Sequence, residues 1–231
     1  SNIANIGLVL GVASIVTPIY SQFKNIKRDF SFLICVTFIF SFLCYMGDIS
    51  KTHGLLFITL LVIYLCILFK KNEEDNFNNS VVEKIYMITF WIIISIFFLY
   101  IGTELFIKGA IGIAHSIGVS NTSIGLTIVA LGTSAPELAT TLSAARRKEH
   151  DMIIGNIIGS NLFNILAVIG VTAIFNTIFV EINEIKTSLI VFNGLTCLLL
   201  INLMTYNKLS RISGVIYFSI YITFLYVVYQ Y

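Results

Sequence analysis

Charge is what this sequence has least of. Asp, Glu, Lys and Arg make up 11% of its 231 residues, against about 25% in water-soluble domains. A chain so poor in charge cannot cover a surface facing water, which excludes a soluble globular domain. The four cysteines, Cys35, Cys44, Cys66 and Cys197, lie inside apolar stretches without CxxC spacing. That excludes a disulfide framework or a cysteine metal site and predicts small buried apolar side chains. The three histidines, His53, His115 and His150, fall at the ends of apolar stretches. No His stands at mid-membrane depth to serve as the base that a nucleophilic Ser134 would need, which argues against an intramembrane serine hydrolase. The net charge of +2 says little, and what matters is where the charges lie.

Apolar residues are abundant, at 57%, and lipid is the implied solvent. Stretches long enough for membrane helices, about 20 residues each, run near 3–20, 31–47, 54–69, 85–114, 120–146, 152–179, 185–205 and 210–229. The expected fold is all-α, a polytopic bundle of about eight spans. The one long hydrophilic break, KKNEEDNFNNSVVEK at 70–84, reads as a loop between two halves.

If the spans alternate in direction, the loops sort by side. One side carries Lys24, Lys27, Arg28, Lys70, Lys71, Lys84, Arg146, Arg147, Lys148, Lys208 and Arg211. The other carries Lys51 and Lys186, with Lys108 added if it belongs to the end of its span. Lys and Arg stay on the cytoplasmic side because they resist translocation. Loop 70–84 is therefore expected in the cytoplasm and the C-terminus at Tyr231 outside. Tyr226, Tyr229 and Tyr231 suit an interfacial belt.

Residues 1–16, SNIANIGLVLGVASIV, match residues 160–175, SNLFNILAVIGVTAIF, at eight of sixteen positions, with an offset of 160 − 1 = 159. In the topology above the two copies run in opposite directions, which predicts an inverted repeat with a site near the bilayer midplane. Residues 1–69 read as the C-terminal part of the first repeat and 85–231 as the second. The second copy has a lead-in of two helices that the first lacks, so repeat symmetry predicts ten spans in all, with roughly 75–80 residues upstream of Ser1.

The chemistry concentrates in LTIVALGTSAPELATTLSAARR. Pro136 removes a backbone donor and crowds the preceding turn, so a non-helical break is expected over 132–137. Such a break frees carbonyls for cations, Thr133 and Ser134 add hydroxyls, and Glu137 adds a carboxylate at a depth where it costs several kcal/mol unless compensated. The plainer reading is a packing kink with a neutral, hydrogen-bonded Glu137. In GNIIGSNLFN, Asn156, Ser160 and Asn164 are four apart and share a helix face, while Asn161 is expected to point elsewhere and cap a break at Gly159. These side chains offer hard neutral oxygens suited to Na+ or Ca2+. They would also serve as interhelical hydrogen-bonding groups. Glu104 and Lys108 have the spacing of an intrahelical ion pair, or of an entry path for cations.

GTSAPEL followed by GNIIGSNLFN resembles the second signature repeat of the sodium/calcium exchangers, and SNIANIGLVLG resembles the tail of the first. The resemblance covers the whole chain. It implies an integral membrane antiporter exchanging Ca2+ or a similar cation for Na+ by alternating access, in the cell membrane of a prokaryote. A cation/proton exchanger using the same carboxylate is the neighbouring reading, and a channel a further one. The resemblance assigns Glu137 as the central cation-binding carboxylate. Thr133 is implied to give a carbonyl and a hydroxyl, Ala130 a carbonyl, and Ser134 and Ser160 to be Na+ ligands. Asn164 and Asn5 match midplane polar positions, and Ser1 is the first-repeat counterpart of Ser160. Some members carry Asp where this chain has Asn164. The implied partners are the transported cations and the lipid bilayer. Neither an enzymatic activity, a cofactor nor a nucleic acid is expected.

Overall fold

The computed structural model describes residues 1–71, 82–116 and 129–230. Among them run eight helices: α1 Asn2–Val16, α2 Phe23–Met46, α3 Lys51–Lys71, α4 Val82–Ser116, α5 Ala130–Arg147, α6 His150–Phe175, α7 Ile182–Tyr206 and α8 Arg211–Gln230. Six of these, all but α1 and α5, are long and apolar enough to cross a membrane. The first part of the stretch expected at 120–146, and most of loop 70–84, lie outside the described residues. The helices are closed by four two-residue strands: β1 Ile19–Tyr20, β2 Asp48–Ile49, β3 Ile178–Phe179 and β4 Lys208–Leu209.

The described chain divides into two compact units, one of Ser1–Leu61 with Glu137–Tyr231, the other Val62–Pro136. In the first unit the repeat is visible element by element. A π-helical turn runs from Asn5 to Leu10 in α1 and from Asn164 to Ile169 in α6, an offset of 164 − 5 = 159. The helix after it stops at Thr17, which is extended (φ −144°, ψ 133°) as a residue before proline must be, and at Asn176, equally extended. α2 ends in a left-handed Gly47 at φ 92° and α7 in a left-handed Asn207 at φ 49°. Glycine or asparagine is what such a helix cap accepts. Asn207 then accepts the Phe23 N–H at 2.8 Å through its side chain.

The strands fix the direction of each half. β1 pairs antiparallel with β4, joining the end of α1 and the start of α2 to the end of α7 and the start of α8. β2 pairs antiparallel with β3, joining the end of α2 and the start of α3 to the end of α6 and the start of α7. So α1 runs toward one end of the bundle and α6 toward the other, and α2 and α7 are likewise opposed. This is the inverted repeat expected from the sequence.

The halves also exchange packing. A Cβ on Gly54 of α3 would lie 2.7 Å from the Gly170 carbonyl of α6, and one on Gly214 of α8 would lie 2.7 Å from the Gly11 carbonyl of α1. Each late helix of one half thus touches the backbone of the repeat helix in the other. Such close approach is how membrane helices associate, because lipid leaves no hydrophobic force between them. The core centres on α1 and α6, where Ile6, Val9, Leu10, Ala13, Ile153, Ile157 and Leu166 are fully buried. Large apolar side chains such as Phe42, Val62, Ile190 and Ile212 face outward.

In the second unit, α4 holds the ion pair expected of Glu104 and Lys108, Nζ to Oε1 at 2.9 Å. Gly132, at the start of α5, sits against Ile107 of α4 so closely that a Cβ there would clash.

Three expectations are corrected. The segment 132–137 is helical, with Pro136 inside α5. Proline is tolerated within a membrane helix when neighbouring groups re-satisfy the freed backbone, and the i−4 residue that its ring crowds is here a glycine, Gly132. Nor is there a break at Gly159, because α6 runs through it and Asn161 is fully buried within the bundle. Finally, only Cys44 is buried; Cys35 and Cys66 are exposed and Cys197 is intermediate. In lipid an apolar thiol has no reason to avoid the surface.

Candidate functional site

α6 presents two adjoining rows of residues four apart, Gly155, Gly159 and Phe163, and Asn156, Ser160 and Asn164. Together with Glu137 of α5 they line a cavity of about 360 Å³. Its size follows from the sequence: a Cβ on Gly155 or Gly159 would meet nothing within 4 Å, so the two glycines keep one wall bare. Oε2 of Glu137 is buried and has no hydrogen-bond partner. A carboxylate oxygen removed from water and left unpaired is costly. A cation entering the cavity would relieve that cost.

The remaining polar atoms are held in order. Asn156 donates through Nδ2 to Thr141 Oγ1 at 2.9 Å and, at 3.5 Å, to the Glu137 carbonyl. Both protons of its amide are committed to α5, which leaves Oδ1 as its acceptor. Where α1 crosses α6, four asparagines bond reciprocally. Asn5 donates to Asn161 Oδ1 at 3.0 Å, and Asn164 donates to Asn2 Oδ1 at 2.8 Å. The repeat maps Asn5 to Asn164 and Asn2 to Asn161, so these are one bond made twice about a two-fold. Asn2 also donates to the Asn161 carbonyl at 3.2 Å. Asn5 Oδ1 is buried without a donor, a second acceptor left open in the same polar layer.

Of the residues singled out from the sequence, Glu137, Ser160 and Asn164 line one cavity. Asn5 reaches that layer through Asn161, and Ser1 caps α1 and accepts the Asn5 N–H at 2.8 Å. Ala130, Thr133 and Ser134 belong to the second unit, on the first turns of α5. There Ser134 is buried, and Thr133 donates its hydroxyl to the Ala130 carbonyl at 3.1 Å. Sequence reasoning missed Asn2 and Thr141 and set Asn161 apart as a cap. The signal for the two asparagines was present, since they are matched identities in the repeat. Among the described residues no group of three His, Cys, Asp or Glu could hold a metal ion. A cation here would meet one carboxylate and neutral oxygens.

A helical membrane bundle of two inverted halves, with a buried carboxylate oxygen that lacks a hydrogen-bond partner and amide oxygens nearby, has the architecture of a secondary transporter. A family model described as sodium/calcium exchanger protein matches residues 1–70 and 87–230. The chain is 33% identical over 225 residues to the putative antiporter CaxA of Alkalimonas amylolytica, covering 93% of this chain and 70% of that protein. It is 27% identical over 279 residues to the sodium/calcium exchanger MaX1 of Methanosarcina acetivorans, covering 99% and 78%. A solved structure of the sodium-calcium exchanger NCX_Mj, soaked with Na+ and Sr2+, matches with a TM-score of 0.78 at 33% identity, over 96% of this chain and 72% of that one. The chain belongs to the sodium/calcium exchanger family, and its activity is that of a membrane transporter rather than an enzyme.

Proposed function

We propose that this chain carries a cation path in which Ca2+, or a similar cation, and Na+ bind in turn at Glu137 and are released to opposite sides of the membrane. The observation that carries this is the buried, unpaired Oε2 of Glu137 beside a cavity lined by Asn156, Ser160 and Asn164. Ca2+ takes roughly six to eight oxygens and tolerates irregular geometry, which suits one carboxylate among amide and hydroxyl oxygens. Ser160 and Asn164 act as neutral ligands from the second half, 85–231, and Ser1 and Asn5 as their counterparts from the first, 1–69. Ala130, Thr133 and Ser134 precede Glu137 on the first turns of α5. The two halves alternate which side reaches the site, as inverted-repeat transporters do.

The basic residues orient the protein. Lys24, Lys27, Arg28, Arg146, Arg147, Lys148, Lys208 and Arg211 are all exposed. They lie at the end of the bundle closed by β1 and β4, where Tyr20 meets His150 edge to face at 5.5 Å. On this reading that end is the cytoplasmic one, and the membrane is the inner membrane of a prokaryote.

The test is Glu137→Gln in proteoliposomes loaded with Na+ and assayed with labelled calcium. The amide keeps the shape and removes the charge, so Na+-gradient-driven uptake is expected to fall to background; breaking a buried charge pair costs roughly 3–5 kcal/mol. Near-normal uptake would overturn the assignment.

A further inference from the structure

We infer that Asn156 and Thr141 form a positioning pair that sets the Glu137 carboxylate against the oxygens of α6 and thereby tunes cation affinity; this rests on the reading of Glu137 given above. Glu137 Oε2 has no hydrogen-bond partner of its own, so the backbone that carries the side chain has a large part in setting its place in the cavity. That backbone lacks one helical donor just before Glu137, because Pro136 has no N–H. One turn later Thr141 is fully buried and lies outside the cavity lining. Its hydroxyl takes the 2.9 Å bond from Asn156 Nδ2, while the second proton of the same amide reaches the Glu137 carbonyl at 3.5 Å. Asn156 thus ties α6 to the turn of α5 that begins at Glu137. A purely structural tie would account for the Thr141 bond. It would not account for the tying residue itself lining the cavity beside Glu137, whose Oε2 has no hydrogen-bond partner.

Thr141 does not line the cavity, and its side-chain bond leads to Asn156, which does. The experiment compares Thr141→Val, which removes the hydroxyl at nearly constant volume, with Thr141→Ser, which keeps it. Asn156→Ala and the double variant Asn156→Ala/Thr141→Val complete the set. Each is reconstituted in proteoliposomes, and the half-saturating Ca2+ concentration is measured separately from the maximal rate. Thr141→Val is expected to raise half-saturation about five- to tenfold, the equivalent of one net hydrogen bond, with the maximal rate held within about twofold. Thr141→Ser is expected to restore it, and the double variant to be no worse than Asn156→Ala alone. Should Thr141→Val fail to fold, Thr141→Ala takes its place against the serine variant. An unchanged half-saturation with only a lowered yield or melting temperature overturns the inference, as does additivity in the double variant. Glu137→Gln, run alongside, separates the two readings. If it abolishes uptake while Thr141→Val leaves affinity untouched, only the positioning role falls. If Glu137→Gln keeps its uptake, both fall.

Discussion

At the scale of single residues, this protein places amide side chains where a soluble protein would place apolar ones. Asn5 and Asn161 are both fully buried, and each would be expensive alone in a low-dielectric interior. Their 3.0 Å bond makes the pair tolerable, and the same bond recurs between Asn164 and Asn2. The consequence is a coupling that can be measured. Asn161→Leu leaves Asn5 stranded and is expected to cost about 1–3 kcal/mol of stability. Adding Asn5→Leu removes the stranded partner and is expected to recover part of that loss, a coupling of about 0.6–1.7 kcal/mol on the scale of membrane hydrogen bonds. Melting temperatures of the four members of the cycle in detergent would check this. Strictly additive losses would mean that the asparagines act independently.

At the scale of elements, the close approaches are carried by glycine, and they differ enough from one glycine to the next to be tested. Gly214 has the Gly11 carbonyl, the Ile15 nitrogen and the Ser14 Cβ all within 2.9 Å of where its own Cβ would lie, whereas Gly194 of α7 has nothing within 4 Å. Gly214→Ala therefore forces α8 off α1 and is expected to destabilise by about 1–3 kcal/mol. Gly194→Ala is expected to be neutral or to stabilise by up to about 1 kcal/mol through helix propensity. Thermal unfolding of both variants would decide it, and equal effects would sink the argument. Elements were also where the sequence was least legible. Hydropathy located the helices and the SN…N repeat revealed their symmetry, because both depend on residue type alone. The helical course of α5 through Pro136 depended on its neighbours: a proline breaks an isolated helix but not one supported within a bundle. The amphipathic start of α2 was missed because Lys24, Lys27 and Arg28 interrupt the apolar run that marks a span. Two-residue strands such as β1 and β4 carry no periodicity at all; only their pairing across the two halves makes them. The candidate site was read more fully than the fold around it. Glu137, Ser160 and Asn164 were named by type and spacing, while Thr141 was passed over because a hydroxyl four residues beyond an acid is commonplace until its partner is seen.

At the scale of the whole molecule, the inverted repeat raises a question that its own symmetry cannot answer. Two halves related by a two-fold in the membrane plane would sit equally well either way up, since exchanging them restores the same bundle. Something outside the repeat must break the tie, and the charge pattern does. Lys208 opens β4 and Arg211 starts α8, whereas Asp48 opens β2 and Lys51 starts α3. The α5–α6 turn adds Arg146, Arg147 and Lys148 to the β1–β4 end through the Tyr20–His150 contact. At the opposite end Glu181 and Glu184 are exposed beside Lys186. Because each Lys or Arg resists translocation, this difference is expected to favour one orientation. α8 starts at the basic end and its 20 residues extend about 30 Å, enough to reach the other face. In a background lacking the four native cysteines, Glu181→Cys is expected to react with a membrane-impermeant maleimide added to intact cells. Arg147→Cys is expected to react only after permeabilisation. Replacing Arg146, Arg147 and Lys148 together by Gln is expected to weaken that contrast, with a fraction of molecules labelled at both positions from outside, because the retained charges at α2 and β4 are then the main barrier to inversion. Labelling of Arg147→Cys in intact cells with protection of Glu181→Cys would reverse the orientation and, with it, the side from which each ion is expected to reach Glu137.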